Sequence, residues 1–127
     1  MACYRKESDM KTAKNIRGRV LKEADIEKYG AKRFKELGWD FEKFVSPQKR
    51  SVPDRICTAP GFVFFIEFKR PGESATPLQQ EDHKRRRAKE ILVFVVDSYE
   101  ELEEVITIIQ VYITTGVVID IPWYVLS

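Results

Sequence analysis

Two carboxylates and one amine are spaced to act together in the middle of this chain. Glu67 and Lys69 lie two residues apart in the segment FVFFIEFK (62–69), so in an extended strand their side chains project from the same face. A tight hairpin at Pro60-Gly61 would place Asp54 opposite Glu67, and position 59 opposite 62, although the turn geometry can shift this register by one residue. Facing carboxylates repel each other, and a divalent cation such as Mg²⁺ would turn that repulsion into attraction.

A second interpretation of these residues involves no chemistry. Glu67 and Lys69 could form the polar face of a solvated strand, and Pro53-Asp54 could be only a turn. Against it, Phe64 and Phe68 point to the opposite face, so the charged groups emerge from an otherwise apolar strand, where their burial is costly unless they are used. The dyad alone favours neither interpretation.

The surrounding pattern predicts the elements that would position these residues. Apolar spacing, capping residues and glycine or proline breakers mark each of them. We predict, in chain order, a helix over 23–37, a short strand over 39–45, a strand from Pro53 through Ile56, a strand over 62–69, a helix over 77–88, a strand over 91–96, a helix from Ser98 to about Gly116 and an edge strand over 117–126. This order predicts an α/β fold with helices flanking a central mixed β-sheet. Residues 1–20 are expected to form a basic flexible arm, and residues 21–127 a single domain.

Charge is distributed unevenly along the chain, although the net charge is only +2. Residues 1–87 hold 21 Lys and Arg against 13 Asp and Glu, whereas residues 88–127 hold 1 against 7. Such asymmetry favours a polyanionic partner for the basic part, although basic runs are also common on ordinary solvated surfaces.

Several function classes find no support in the composition. The two cysteines and the single histidine do not supply a disulfide framework, a zinc ligand set or a Ser/His/Asp or Cys/His catalytic arrangement. The sequence contains no apolar stretch that would form a signal peptide or a membrane span. We therefore expect a cytoplasmic protein that binds neither a membrane nor an organic cofactor.

The order of the elements and four segments resemble a known enzyme family. The segments are IEKYGAKRFKELGW (26–39), KFVSPQKRSVPDR (43–55), FFIEFKRPGE (64–73) and TPLQQEDH (76–83). Together they resemble the PD-(D/E)xK nuclease superfamily, and in detail its VRR-NUC branch, which is related to archaeal-type Holliday junction resolvases. The resemblance extends over about residues 22–110, and the series VPDR, IEFKRPG and PLQ is specific for it. It implies the PD-(D/E)xK (restriction-endonuclease-like) fold and a metal-dependent DNA endonuclease.

The resemblance also implies a role for each residue of the motif. Asp54 and Glu67 would bind Mg²⁺ or Mn²⁺ together with the main-chain carbonyl of Phe68. Lys69 would orient the attacking water or stabilise developing negative charge. Glu27, in the first helix, would complete the site through the metal or its waters, unless it is only part of a charged helix surface.

Gln79 and a set of basic residues complete the prediction. Gln79 matches the family's helix glutamine near the metal, but a glutamine at this position also suits a capping box with Thr76. His83 lies one turn further along the helix and is left outside the site. We predict DNA phosphate contacts at cations beside the site, each of which could also be ordinary surface charge: Lys49, Arg50, Arg55, Arg70, Lys84, Arg85, Arg86 and Arg87.

The substrate and the assembly are predictions of a different kind. The resemblance implies branched DNA, such as a four-way (Holliday) junction, as the partner. The alternatives are a non-catalytic DNA-binding module of the same fold, or a nuclease for flap, single-stranded or RNA substrates. Two symmetric cuts need two active sites, so we predict a homodimer. Apolar residues of the C-terminal part support it, unless the last strand covers them within one subunit: Val105, Ile106, Ile108, Ile109, Val111, Tyr112, Ile113, Val117, Val118, Ile119, Ile121, Trp123 and Tyr124.

Overall fold

A computed structural model describes residues 21–116 and 121–127 of the chain. The elements are α1 (Glu23–Leu37), β1 (Asp40–Lys43), β2 (Arg55–Ala59), β3 (Phe62–Phe68), α2 (Pro77–Arg87), β4 (Val93–Val96) and α3 (Tyr99–Thr115), followed by a 3-10 turn at Trp123–Val125. The predicted basic arm lies outside the described residues, as does the first part of the predicted edge strand, 117–120. None of the helices in the described part is long and apolar enough to cross a membrane.

Helix α1 begins and ends where the sequence predicted. The Asp25 side chain accepts a hydrogen bond from the backbone N–H of Lys22 at 2.9 Å, which satisfies a donor at the helix start. Gly38 ends the helix in the left-handed conformation, with φ of 76°, which glycine adopts without side-chain strain. A Cβ added at Gly30 would lie 3.1 Å from the Phe41 ring. The missing side chain at this position therefore lets α1 pack closely on the sheet.

The described strands form one sheet in the order β1-β2-β3-β4, antiparallel except for the parallel pair β3-β4. The hairpin pairs Arg55 with Ile66, Ile56 with Phe65, Cys57 with Phe64, Thr58 with Val63 and Ala59 with Phe62. This is the register predicted from a tight turn, in which Gly61 has φ of 71°. Asp54 directly precedes β2, so the same register continues to the position opposite Glu67.

The two faces of β3 have different surroundings. Phe64, Ile66 and Phe68 are fully buried in the main core, together with residues of α1 and α3. On the opposite face, Phe65 and Glu67 are buried under side chains of α2. The mixed sheet therefore has helices on both faces, which confirms the predicted fold class. This arrangement buries the ionisable side chain of Glu67 beside the start of α2.

The C-terminal segment differs from the prediction. Residues Trp123–Val125 form a 3-10 turn after Pro122, where we predicted the end of an edge strand. Packing explains the difference, because Tyr124 and Val125 are buried in the core and the Tyr124 hydroxyl donates a hydrogen bond to Glu104 on α3. Pro122 also has no N–H to donate to a neighbouring strand.

The apolar surface of α3 is smaller than its sequence indicated. Residues that we expected at an interface lie instead in the core with Tyr124, as in the alternative interpretation: Val105, Ile106, Ile108 and Ile109. Of the same group, within the part of the chain that the structure describes, Ile113 and Trp123 stay exposed, at 37% and 47%. The apolar argument for a dimer is therefore reduced to a small patch.

Candidate active site

Asp54 and Glu67 meet at the end of the β2-β3 hairpin. One oxygen of Asp54, Oδ2, accepts a hydrogen bond from the backbone N–H of Phe68 at 2.8 Å, which fixes this carboxylate against the end of β3. Glu67 is only 2% exposed. The hairpin register thus brings together the two carboxylates that the sequence predicted as a pair.

The electrostatics of the pair oppose two full negative charges in the same place. Burial raises the pKa of Glu67 to about 8, and the nearby Asp54 carboxylate adds to the rise while Lys69 opposes it. Burial also raises the pKa of Asp54, against the lowering effect of the Phe68 hydrogen bond. A divalent cation between them would favour the ionised form of both carboxylates.

Lys69 and Gln79 both contact the Glu67 carboxylate. The Lys69 ammonium lies 3.6 Å from Oε2 of Glu67, and Gln79 Nε2 donates a hydrogen bond to the same oxygen at 3.0 Å. The Gln79 side chain also accepts a hydrogen bond from the backbone N–H of Thr76 at 2.9 Å. Gln79 therefore caps α2 and also contacts Glu67, so its geometry is compatible with both roles that the sequence left open.

One oxygen atom of Glu67 could serve as a ligand of a cation. The second oxygen of Glu67, Oε1, is buried and has no hydrogen-bond donor within residues 21–116 and 121–127. A buried carboxylate oxygen without a partner is costly, and carboxylate oxygens are preferred ligands of Mg²⁺. No group of three Asp, Glu, His or Cys side chains in the same residues is arranged to hold a metal. Main-chain oxygen, such as the Phe68 carbonyl, and water would have to complete the ligand set.

Glu27 lies next to this pair but has a partner of its own. Its Oε2 accepts a hydrogen bond from Nε of Arg55 at 2.7 Å, and the Arg55 guanidinium also lies 4.6 Å from the centre of the Phe41 ring. Glu27 still contributes to the raised pKa of Asp54. Glu27 would therefore have to perform its predicted role in the site while it is paired with Arg55.

Glu23 lies close enough to the carboxylate pair to affect its charge, and the sequence did not predict this. Burial is the main cause of its raised pKa, followed by the charge of Asp54, and Glu23 in turn contributes to the raised pKa of Glu67. It lies one helical turn before Glu27 on α1. This spacing could have predicted from the sequence that Glu23 lies near Glu27, because it places both glutamates on the same side of the helix.

Comparisons with known proteins identify relatives of this chain. A search of protein-family models finds no match. A curated phage protein named "Putative nuclease p44", from Acyrthosiphon pisum secondary endosymbiont phage 1, is 41% identical over 83 residues, which cover 65% of this chain and 89% of that protein. A solved structure described as "VRR_NUC domain" matches with a TM-score of 0.64 and 29% identity, covering 69% of this chain and 97% of the other. The chain belongs to the VRR-NUC family of nucleases. Asp54, Glu67 and Lys69 are the residues that the sequence matched to the PD-(D/E)xK motif.

Three of the cations predicted to contact DNA lie together on the surface of this VRR-NUC domain. Lys49 and Arg50, in the loop before β2, line an open groove of about 340 Å³ that also contains Arg85 of α2. Lys84 is exposed on the same helix. The same groove also contains Glu81 and Asp82, and Asp82 forms an ion pair with Arg85 at 2.7 Å. Two segments that are far apart in sequence therefore form one basic surface, in which three cations outnumber two carboxylates.

Other predicted DNA contacts, like Arg85 in its ion pair with Asp82, already have partners within the VRR-NUC domain. Arg87 donates two hydrogen bonds to the backbone carbonyl of Val93, at 3.1 and 2.6 Å, and burial lowers its pKa. Arg70 forms an exposed ion pair with Glu73 at 2.6 Å. Arg55 is paired with Glu27, so a DNA phosphate would compete with an internal partner at each of these three arginines.

Proposed function

We propose that this VRR-NUC domain is a metal-dependent endonuclease that hydrolyses phosphodiester bonds in DNA. The observation that carries the proposal is the facing pair of half-buried Asp54 and buried Glu67, in which Oε1 of Glu67 lacks a donor among the described residues. Isolated carboxylates are rarely buried without such a use. The adjacent Lys69 ammonium, 3.6 Å from Glu67, supports a site for anionic substrates.

The residues of the site divide the work in the proposed reaction. Asp54, Glu67 and the Phe68 carbonyl would hold Mg²⁺ or Mn²⁺, which when bound supplies a water of lowered pKa and polarises the phosphate. Lys69 would place its positive charge on the attacking water or on the phosphoryl oxygens, where charge develops. Gln79 keeps the Glu67 carboxylate in one orientation through its hydrogen bond. No residue of the chain needs to form a covalent intermediate.

We propose branched DNA, with the four-way junction as the first candidate, as the preferred substrate. The resemblance to Holliday junction resolvases supports this choice. The basic surface of Lys49, Arg50 and Arg85 also suits phosphate contacts, which supply affinity without reading base sequence. Recognition would then depend on DNA shape.

A homodimer would provide the second active site that paired cuts across a junction require. Exposed Ile113 and Trp123 are the apolar side chains of the C-terminal part that could take part in its interface. We expect sedimentation at micromolar concentration to give twice the chain mass of 14.9 kDa. Substituting Ile113 or Trp123 by Asp should then return the mass to that of one chain.

Cleavage of a substrate panel tests the proposed function. Duplex, flap, four-way junction, single-stranded DNA and RNA are each incubated with the wild type in Mg²⁺, in Mn²⁺ and in EDTA. We expect metal-dependent cleavage that is fastest on the junction. Glu42→Gln, a change of an exposed residue on β1, is the matched control and should leave the rates unchanged. Binding of DNA without cleavage in any metal would instead favour the non-catalytic module.

A further inference from the structure

Arg86 is held more firmly than the other exposed cations of α2. Its Nε donates to the buried Asp82 carboxylate at 2.8 Å. Its guanidinium carbon lies 5.3 Å from the centre of the Phe44 ring and 5.1 Å from the centre of the Phe65 ring, and the two rings contact each other. A planar guanidinium that lies over two ring faces and pairs with a carboxylate has lost much of its conformational freedom before any ligand binds.

The free end of this guanidinium faces an open groove. The two terminal nitrogens of Arg86 have no hydrogen-bond partner among the described residues. The groove has a volume of about 420 Å³ and combines three cations with three apolar side chains: Arg85, Arg86, Lys89, Val63, Phe65 and Ile91. Its positive charge fits an anion, and its apolar side chains, of which Val63 and Ile91 are exposed, fit a ligand with an uncharged part between anionic groups.

The ligand that best fits this combination is the sugar-phosphate backbone of a DNA strand. A guanidinium offers two parallel donors to a phosphate, and the apolar side chains of the groove can contact the sugars. The position also fits, because Phe65 is two strand residues from Glu67, or about 7 Å. Arg86 lies two helical turns after Gln79, or about 10 Å. A phosphate at Arg86 would therefore be within a few nucleotides of the scissile one.

We propose that Arg86 is a preorganised binding site for one particular backbone phosphate of the substrate, and that Asp82, Phe44 and Phe65 position it. The inference rests on the proposed function, because it takes DNA as the substrate. It distinguishes Arg86 from Arg85, which shares Asp82 but has a side chain that is 46% exposed, against 23% for Arg86. Arg85 would attract DNA through charge alone.

A lysine substitution separates positioning from charge. Arg86→Lys keeps the positive charge but removes the planar fork, whereas Arg85→Lys makes the same change on the neighbouring, unstacked residue. Binding to a four-way junction is measured by fluorescence anisotropy in EDTA, so that no cleavage occurs. We expect Arg86→Lys to weaken binding roughly tenfold, as for the loss of one charge-assisted hydrogen bond, and Arg85→Lys to change it less than twofold.

Neutral linkages in the DNA then show whether one phosphate is responsible. Single methylphosphonates are placed in turn at each backbone position near the cleavage site, and binding is measured for the wild type and for Arg86→Lys. We expect one position to weaken the wild type about tenfold and to have little effect on Arg86→Lys. Arg85→Lys should keep the wild-type response at that position.

Two results would overturn the inference. One is equal loss of affinity in Arg86→Lys and Arg85→Lys, and the other is the absence of any linkage whose effect depends on Arg86. If Arg86→Lys melts at a lower temperature than the wild type, Arg86→Met, which keeps an unbranched stem on the two rings, replaces it in the same scan. Metal-dependent cleavage by the wild type is measured separately, so failure of the proposed function would appear there and not in the binding data.

Discussion

Replacing Glu67 by glutamine should make the metal-free protein more stable. The folded protein raises the pKa of Glu67 from 4.5 to about 8, chiefly through burial and next through the charge of Asp54. Above pH 4.5 the unfolded chain therefore loses a proton that the folded chain retains, and stability falls as the pH rises towards 8. Glutamine has the same shape, carries no charge and can keep the hydrogen bond from Gln79. The substitution should remove the loss of stability that ionisation of Glu67 causes.

The size of the effect follows from the same pKa values. A tenfold difference in proton affinity is worth about 1.4 kcal/mol. The raised pKa of Glu67 therefore lowers the free energy of unfolding by about 3 kcal/mol at pH 7, or by about 2 kcal/mol where the site relaxes around the charge. For a chain of this length, 1 kcal/mol corresponds to about 4 °C in melting temperature. We therefore expect Glu67→Gln to melt roughly 10 °C higher than the wild type at pH 7 in EDTA, and at nearly the same temperature at pH 4.5.

Thermal melts between pH 4.5 and 8.5, followed by circular dichroism, measure this difference. Excess Mn²⁺ should stabilise the wild type, by about 2.7 kcal/mol at one hundred times the dissociation constant, and should leave Glu67→Gln unchanged. Glu42→Gln is the control for loss of an exposed carboxylate and should show no pH-dependent gain. A Glu67→Gln variant that is less stable than the wild type in EDTA, or whose advantage does not grow with pH, would show that ionisation of Glu67 does not destabilise the folded protein.

Three further substitutions have defined outcomes. Lys69→Met should lose most of the turnover while calorimetry gives an unchanged Mn²⁺ affinity, because the ammonium acts on water or phosphate; lost affinity with a normal saturating rate would assign Lys69 another role. Glu23→Gln should slow cleavage, whereas Glu36→Gln at the other end of α1 should not, and equal rates for all three proteins would remove Glu23 from the site. Burial lowers the pKa of His83 from 6.5 to about 4, with a further contribution from Arg87. The fold therefore loses up to about 3 kcal/mol as the pH falls between these values, and melts of His83→Leu should lack this acid sensitivity.

Local patterns were sufficient to predict much of the fold. The apolar spacing and Gly38 gave both ends of α1, and the Pro60-Gly61 turn gave the hairpin register that places Asp54 opposite Glu67. These features depend on residues close together in the chain. Capping of α2 by Gln79 was one of two roles predicted, for the same reason, while the family resemblance implied a position near the metal site and only the structure shows the contact with Glu67.

Features that depend on tertiary packing were harder to predict. The sequence places Glu23 and Glu27 on one side of α1. Only the packing of that helix shows that Glu27 pairs with Arg55 and that the charge of Glu23 helps to raise the pKa of Glu67. Arg87 looked like a free cation until its bonds to the Val93 carbonyl were known. The alternating apolar residues near the C-terminus suggested a strand, whereas burial of Tyr124 against α3 favours a 3-10 turn.

Cleavage by Asp54→Asn as a function of Mn²⁺ concentration is the most direct test of a metal held between Asp54 and Glu67. The substitution keeps the shape of the side chain and removes the charge that faces Glu67. We expect the wild type to cleave a four-way junction at a rate that saturates with Mn²⁺ and disappears in EDTA. We also expect Asp54→Asn to bind the junction in EDTA as the wild type does but not to cut it at any Mn²⁺ concentration. Wild-type cleavage rates for Asp54→Asn, or undiminished cleavage by the wild type in excess EDTA, would exclude this metal-dependent mechanism.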